Sequence, residues 1–227
     1  MSTTNPSVLP SPVQRVRVFV DYWNFQLALN GLEAEDRKVR LEEARFQINW
    51  QGLGPWLAKM AAEVVGLTPG AYSFDGVIIY CSYNPQATEG RKFRGWATSW
   101  LDRQPGVKVE CRERKRKAPP KCPACHQEIL DCPLCKQKMI ATEEKGVDTL
   151  IATDMIRLAW EEAYDLAVLA TSDSDLVPAV QFLGLRARKI IQAGFPPLGV
   201  ALATACWASF DVAPHRSEIR RPVSSVK

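Results

Sequence analysis

Short apolar runs alternate with longer amphipathic stretches along most of the chain. Arg15-Val-Arg-Val-Phe-Val20 alternates and then gives way to Asp21-Tyr-Trp-Asn24, the pattern of a buried strand turning into a helix. That helix is expected to continue through Leu27 and Ala28, whereas Gly31 to Asn49 is charged and low in periodicity. Gly54-Pro55 precedes an amphipathic stretch, Trp56 to Val65, which predicts a helix feeding a second strand at Gly76-Val-Ile-Ile-Tyr-Cys81. The second strand is apolar without alternation, as in a strand covered by helices on both faces. Within Glu89 to Leu101, Phe93, Trp96, Trp100 and Leu101 recur at helical spacing, with Arg91, Lys92 and Arg94 on other faces. These aromatics suit a core; a stacking platform is the second reading.

Val107-Lys-Val-Glu-Cys111 alternates like a third strand. Glu144-Lys-Gly-Val-Asp148 opens a helix whose apolar face includes Leu150, Ile151, Met155, Ile156 and Leu158 and which ends near Ala163. Asp165 to Ala170 is the next buried strand. Thr171-Ser-Asp-Ser-Asp175 starts a helix through Leu183 that Gly184 ends, followed by a strand at Arg186 to Ile191 and a weaker helix at Leu198 to Cys206. The alternation predicts an α/β fold with a mainly parallel central sheet between layers of helices. Right-handed crossovers in such a fold gather functional loops at the carboxyl ends of the strands.

A length of 227 residues, 46% hydrophobic, allows one sizeable core with an insertion. The expected organisation is a disordered lead-in at 1–14, a domain at 15–212 interrupted by an insertion at 112–140, and a tail at 213–227. No apolar run approaches the roughly 20 residues of a bilayer span, and the Ser-, Thr-, Asn- and Pro-rich start is unlike a secretory signal, so a soluble protein with no membrane partner is expected. Four of the seven cysteines form two C-x-x-C pairs, while Cys81, Cys111 and Cys206 are scattered. That usage suits a reducing, cytoplasmic compartment.

Candidate chemistry concentrates on aspartates at strand ends and helix starts. These are Asp21 with Asn24 after the first strand, Asp148 with Lys145 at a helix start, and Asp173 with Asp175 after the later strand. Carboxylates converging there meet the demand of a hard cation such as Mg²⁺ for oxygen ligands, and such an ion favours metal-assisted phosphodiester hydrolysis over covalent catalysis. His126 lies among the cysteines and His215 in the tail, so no imidazole base is expected on a core loop. Each aspartate alone has another explanation as a helix N-cap, and Asp154 reads equally as a further ligand or a helix-surface acid. A nucleotide-binding doubly wound domain is disfavoured because no G-x-G-x-x-G follows the first strand.

In these ordered motifs the chain resembles the NYN domains of the PIN-like nuclease group, including LabA-like proteins. Val18-Phe-Val-Asp-Tyr-Trp-Asn24 is similar to the family's first strand, Asp and Asn; Lys145-Gly-Val-Asp148 with Asp154 is similar to its Lys-x-x-Asp helix; Thr171-Ser-Asp-Ser-Asp175 is similar to its Ser-x-Asp-x-Asp loop. The resemblance runs from about Val16 to Asp211, apart from the cysteine-bearing stretch. It implies a PIN-like three-layer fold and a Mg²⁺- or Mn²⁺-dependent endoribonuclease acting on RNA. It further implies Asp21, Asp148 and Asp173 as metal ligands, with Asp175 beside them, Asn24 orienting the site, and Ser172 contacting water or phosphate. The alternative is a catalytically silent RNA-binding or scaffolding module on the same fold.

The insertion departs from that pattern. Cys122-Pro-Ala-Cys125 and Cys132-Pro-Leu-Cys135 are two tight knuckles with six residues between them, a spacing that predicts one structural Zn²⁺ held by four thiolates. A module with so little core would draw most of its folding free energy from the metal. Between Lys108 and Lys121 stand seven Lys or Arg against two Glu. Of these, Arg112, Arg114, Lys115, Arg116 and Lys117 can track RNA phosphates, although a solvated basic linker has the same composition. The knuckles also suit docking to a protein partner or a second copy of the chain.

Overall fold

The computed structural model describes residues 12–139 and 141–222; most of the expected lead-in and the last five residues fall outside that range. A six-stranded sheet forms its centre, built from β1 (Gln14–Asp21), β2 (Tyr72–Tyr83), β3 (Val107–Glu113), β6 (Leu166–Ala170), β7 (Lys189–Gly194) and β8 (Ala208–Asp211). The order is β3-β2-β1-β6-β7-β8 and every neighbouring pair is parallel. The chain builds outward from β1 to β3, then returns to the other side of β1. Strand order therefore reverses between β1 and β6, where an open parallel sheet has a crevice at its carboxyl edge.

Helices cover both faces. On one, α1 (Tyr22–Arg37), α2 (Trp50–Val64) and α3 (Thr88–Ser99) pack Phe25, Leu29, Leu53, Leu57 and Ala97 against Val16, Val18, Val20, Val77 and Ile79. On the other, α4 (Val147–Trp160), α5 (Val177–Gly184) and the short α6 (Val200–Ala205) pack Ile151, Met155, Val180 and Leu202 against Phe19, Ile78, Tyr80 and Leu169. Fully buried side chains of this size contribute about 1.5–3 kcal/mol each. Contact between α2 and β2 is as close as glycine permits: a Cβ on Gly54 would lie 2.8 Å from Phe74 Cζ.

Several elements differ from their sequence expectation, each for a tertiary reason. Helix α1 runs on to Arg37: the fourth turn of its buried face carries Glu33, which Arg220 pairs at 2.5 Å, and that charge breaks the apolar period. Helix α2 begins six residues earlier than expected, capped by Asn49 Oδ1 on Gly52 N–H at 3.3 Å, and holds Pro55 inside it. Strand β8 adds an edge that no periodicity signalled. Beyond it the chain packs onto the domain, burying Ile219 and bonding Arg221 N–H to Gln47 O at 2.7 Å. Cys81 and Cys111, thirty positions apart, are register partners on β2 and β3.

Candidate active site

Asp21 ends β1 at the crevice. Its Oδ1 accepts the Asn24 N–H at 3.2 Å, capping α1, and its Oδ2 accepts the Thr171 hydroxyl at 3.3 Å. The capping explanation is thus realised for Asp21, and it places the carboxylate where only 4% of the residue is exposed. Burial pushes its pKa up to about 6; the Asn24 N–H opposes the shift, and the negative charges of Glu144 and Asp148 add to it.

The loop after β6 faces it. Ser172 N–H donates to Asn24 Oδ1 at 2.9 Å, Asp173 N–H donates to Thr171 Oγ1 at 3.2 Å, and Asp175 N–H donates to Asp173 Oδ1 at 2.9 Å. Gln192, buried on β7, donates its amide to the carbonyls of Thr171 and Gly199 at 3.0 and 3.3 Å and closes the loop from below. Asp148 lies in the first turn of α4 but is not its cap, which is Gly146. Desolvation raises the Asp148 pKa, followed by the charges of Asp173, Glu144 and Asp175. Asp148 thus links the two ends of the site: it feels the charges of Asp173, Glu144 and Asp175, and with Glu144 it acts on Asp21.

Among the described residues, no three His, Cys, Asp or Glu side chains stand close enough to hold an ion between them. Asp21 and Asp173 each turn one carboxylate oxygen back to a backbone N–H in a cap. One observation nonetheless suits a bound ligand: the Ser172 hydroxyl is buried with no hydrogen-bond partner among the described residues, an arrangement that costs stability unless something else satisfies it. An acid-rich, oxygen-only donor set beside an unpaired hydroxyl fits a hard divalent cation and a phosphate.

Two residues expected near the site are engaged elsewhere. Asp154 is buried, accepts Tyr80 Oη at 3.0 Å and pairs Arg157 at 3.1 Å, fastening α4 to β2. Lys145 is exposed and pairs Glu143 at 2.7 Å. Glu144, by contrast, was visible in the sequence only as a helix opener. The Ser82 hydroxyl donates to it, Arg114 Nη2 stands 3.8 Å away, and Arg114 Nε donates to Ser82 Oγ at 2.8 Å. Of the basic run, Arg114 alone turns inward, its guanidinium 5.3 Å above the Trp23 ring; Arg112, Lys115, Arg116 and Lys117 are exposed.

The insertion rises from a two-stranded antiparallel base, β4 (Lys115–Arg116) and β5 (Thr142–Glu143). Its knuckles fold alike. His126 and Lys136, at φ +59° and +60°, each return an N–H to the first cysteine's carbonyl at 2.9 Å. Backbone N–H groups of Cys125 and Ala124, then the Cys125 thiol, lower the Cys122 thiol pKa, and Cys135, Leu134 and the Cys135 thiol do the same for Cys132. Lowered thiols favour the thiolate that binds metal. Each knuckle carries its own bridge, Lys121 with Glu128 and Asp131 with Lys138, and among the described residues the expected set of four thiolates is not drawn together.

Comparison with known proteins follows the same outline. A solved structure of a protein of unknown function from Vibrio parahaemolyticus superposes with a TM-score of 0.52 at 13% identity, covering 90% of this chain and 96% of that one, which is a likeness of fold alone. No curated protein matches the chain. The family model described as the NYN domain matches residues 15–206, a span holding the whole acidic site and the cysteine insertion. That family lies within the PIN-like nuclease superfamily. With most of its length matched to that model, the chain belongs to the NYN domain family.

Proposed function

We propose that the chain is a divalent-metal-dependent endoribonuclease that hydrolyses RNA phosphodiester bonds. The reading is carried by Asp21, Asp148 and Asp173 at the point where strand order reverses, with Asp148 acting on Asp21 and acted on by Asp173, beside a Ser172 hydroxyl that has no partner among the described residues. Those three aspartates would hold Mg²⁺ or Mn²⁺, with Asp175 adding negative charge. Bound there, the ion would polarise the phosphodiester and lower the pKa of an attacking water.

The chain's own residues supply the rest. Asn24 holds the Ser172 loop in register with α1, and the buried Ser172 hydroxyl, without a partner among the described residues, would donate to a phosphate oxygen or water that reaches it. Arg114 sets one fixed positive charge against Glu144, while Arg112, Lys115, Arg116 and Lys117 offer solvent-facing charges to a strand crossing the edge. Cys122, Cys125, Cys132 and Cys135 would bind one structural Zn²⁺, supported by the thiolate-favouring knuckles. The cysteine usage, four of seven in C-x-x-C pairs, supports a reducing, cytoplasmic compartment; no helix among the described residues is long and apolar enough to cross a membrane.

The experiment is hydrolysis of RNA by purified protein in Mn²⁺ or Mg²⁺ beside Asp148→Asn. Products from the wild type and on the order of a hundredfold fewer from the variant are expected. Equal rates would mean contamination. RNA bound with strong salt dependence yet never cut would favour the silent RNA-binding module, the second reading, which the caps holding Asp21 and Asp173 also suit.

A further inference from the structure

A cleft of about 410 Å³ opens beside the acidic residues and shares Ser82 and Arg114 with them. Its size falls within the roughly 300–1,000 Å³ of small-molecule sites. Its walls are the half-buried rings of Trp23, Phe93 and Trp96, with Trp23 and Phe93 centroids 5.1 Å apart and Phe93 and Trp96 5.8 Å apart. The walls are held firmly. Trp23 Nε1 donates to Ser82 O at 2.7 Å, and a Cβ on Gly90 would lie 2.1 Å from Asn84 O, so α3 sits hard against the loop leaving β2.

Cations surround the aromatic walls. Arg45, Lys92 and Arg114 all line the cleft, with Glu89 pairing Lys92 at 2.8 Å. Flat aromatic faces beside guanidinium groups suit a nucleobase with phosphates on either side, and only an unpaired base can leave its own stack to enter. We infer that this cleft takes one unpaired base of a single-stranded RNA, with the flanking phosphates on Arg45 and Arg114, and so presents unpaired segments to the neighbouring carboxylates. The inference rests on the ribonuclease reading and specifies its substrate.

The test is binding of a labelled single-stranded RNA, and of an RNA duplex, by the full chain in chelator so that nothing is cut. Phe93→Ala should weaken the single strand between about fivefold and a hundredfold, Phe93→Trp should retain it, and duplex binding should be unchanged by either. Should Phe93→Ala not fold, the wild type alone decides: 2-aminopurine placed along the strand should be quenched at one position or more. Unchanged single-strand affinity in folded Phe93→Ala, equal loss on duplex and single strand, or no quenching anywhere would each overturn the inference. Quenching and Phe93 dependence without hydrolysis in Mn²⁺ would leave the cleft standing and remove the nuclease reading. Hydrolysis by a protein indifferent to Phe93 would do the reverse.

Discussion

Asn24 Oδ1 accepts the backbone N–H of Ser172 at 2.9 Å, a bond between residues 148 positions apart that fastens the loop after β6 to the first turn of α1. Asn24→Ala leaves that N–H unpaired at a half-buried position, costing about 1 kcal/mol, or a melting point about 2–4 °C lower. If the bond sets the site, RNA hydrolysis should fall far more than stability does, by about tenfold or more. Thermal melts and rates on the same preparation check this, and an unchanged rate would remove Asn24 from the site.

Gly199 supports the same loop from the other side. Its φ is +72°, and a Cβ there would lie 2.8 Å from both Ser172 Cα and Gln192 Nε2. Gly66, at φ +76°, has nothing within 4 Å of the same position. Gly66→Ala therefore carries backbone strain alone, about 1 kcal/mol, whereas Gly199→Ala must also displace the Ser172 loop, adding about 1–3 kcal/mol and lowering hydrolysis. Urea midpoints of the two variants measure the difference; equal midpoints would mean that the loop yields freely.

Metal analysis of protein never exposed to chelator should find one zinc per chain, and none in Cys122→Ser. Removing the zinc should loosen the insertion while leaving the main unfolding transition in place, because the sheet's two cores lie outside it. Hydrogen exchange resolves the two regions. Iron, or no metal, would refute the zinc assignment.

Arg15 and Asp165 clamp the starts of β1 and β6 through Arg15 N–H to Asp165 Oδ2 at 2.8 Å and Nη2 to Oδ1 at 3.0 Å. The Arg15 side chain holds the Asp165 carboxyl below its usual range. A lowered carboxyl stabilises above its unfolded pKa and loses that contribution as pH falls through the folded one. Asp165→Asn should therefore be less stable than wild type near neutrality, with the gap closing toward about pH 3. Both side chains are over a third exposed, so the gap is modest, below about 1 kcal/mol. Denaturation midpoints at the two pH values check the sign.

The sequence by itself determined the parallel α/β pattern and the aspartates at strand ends, because apolar runs such as Gly76 to Cys81 and capping residues such as Asp21 are dictated by their own element. The length of α1 escaped it, since Glu33 sits on a buried face only because Arg220 arrives to pair it. The site divides the same way. Asp21, Asp148 and Asp173 were legible one at a time, but the action of Asp148 on Asp21 and of Asp173 on Asp148, the entry of Glu144 and the inward turn of Arg114 depend on contacts between distant segments. Likewise, helical spacing marked Phe93 and Trp96 as apolar, while only the packing of α3 beside Trp23 and Ser82 left their rings facing a cleft. Local periodicity records which side of an element is buried; what that side meets is decided when the chain closes on itself.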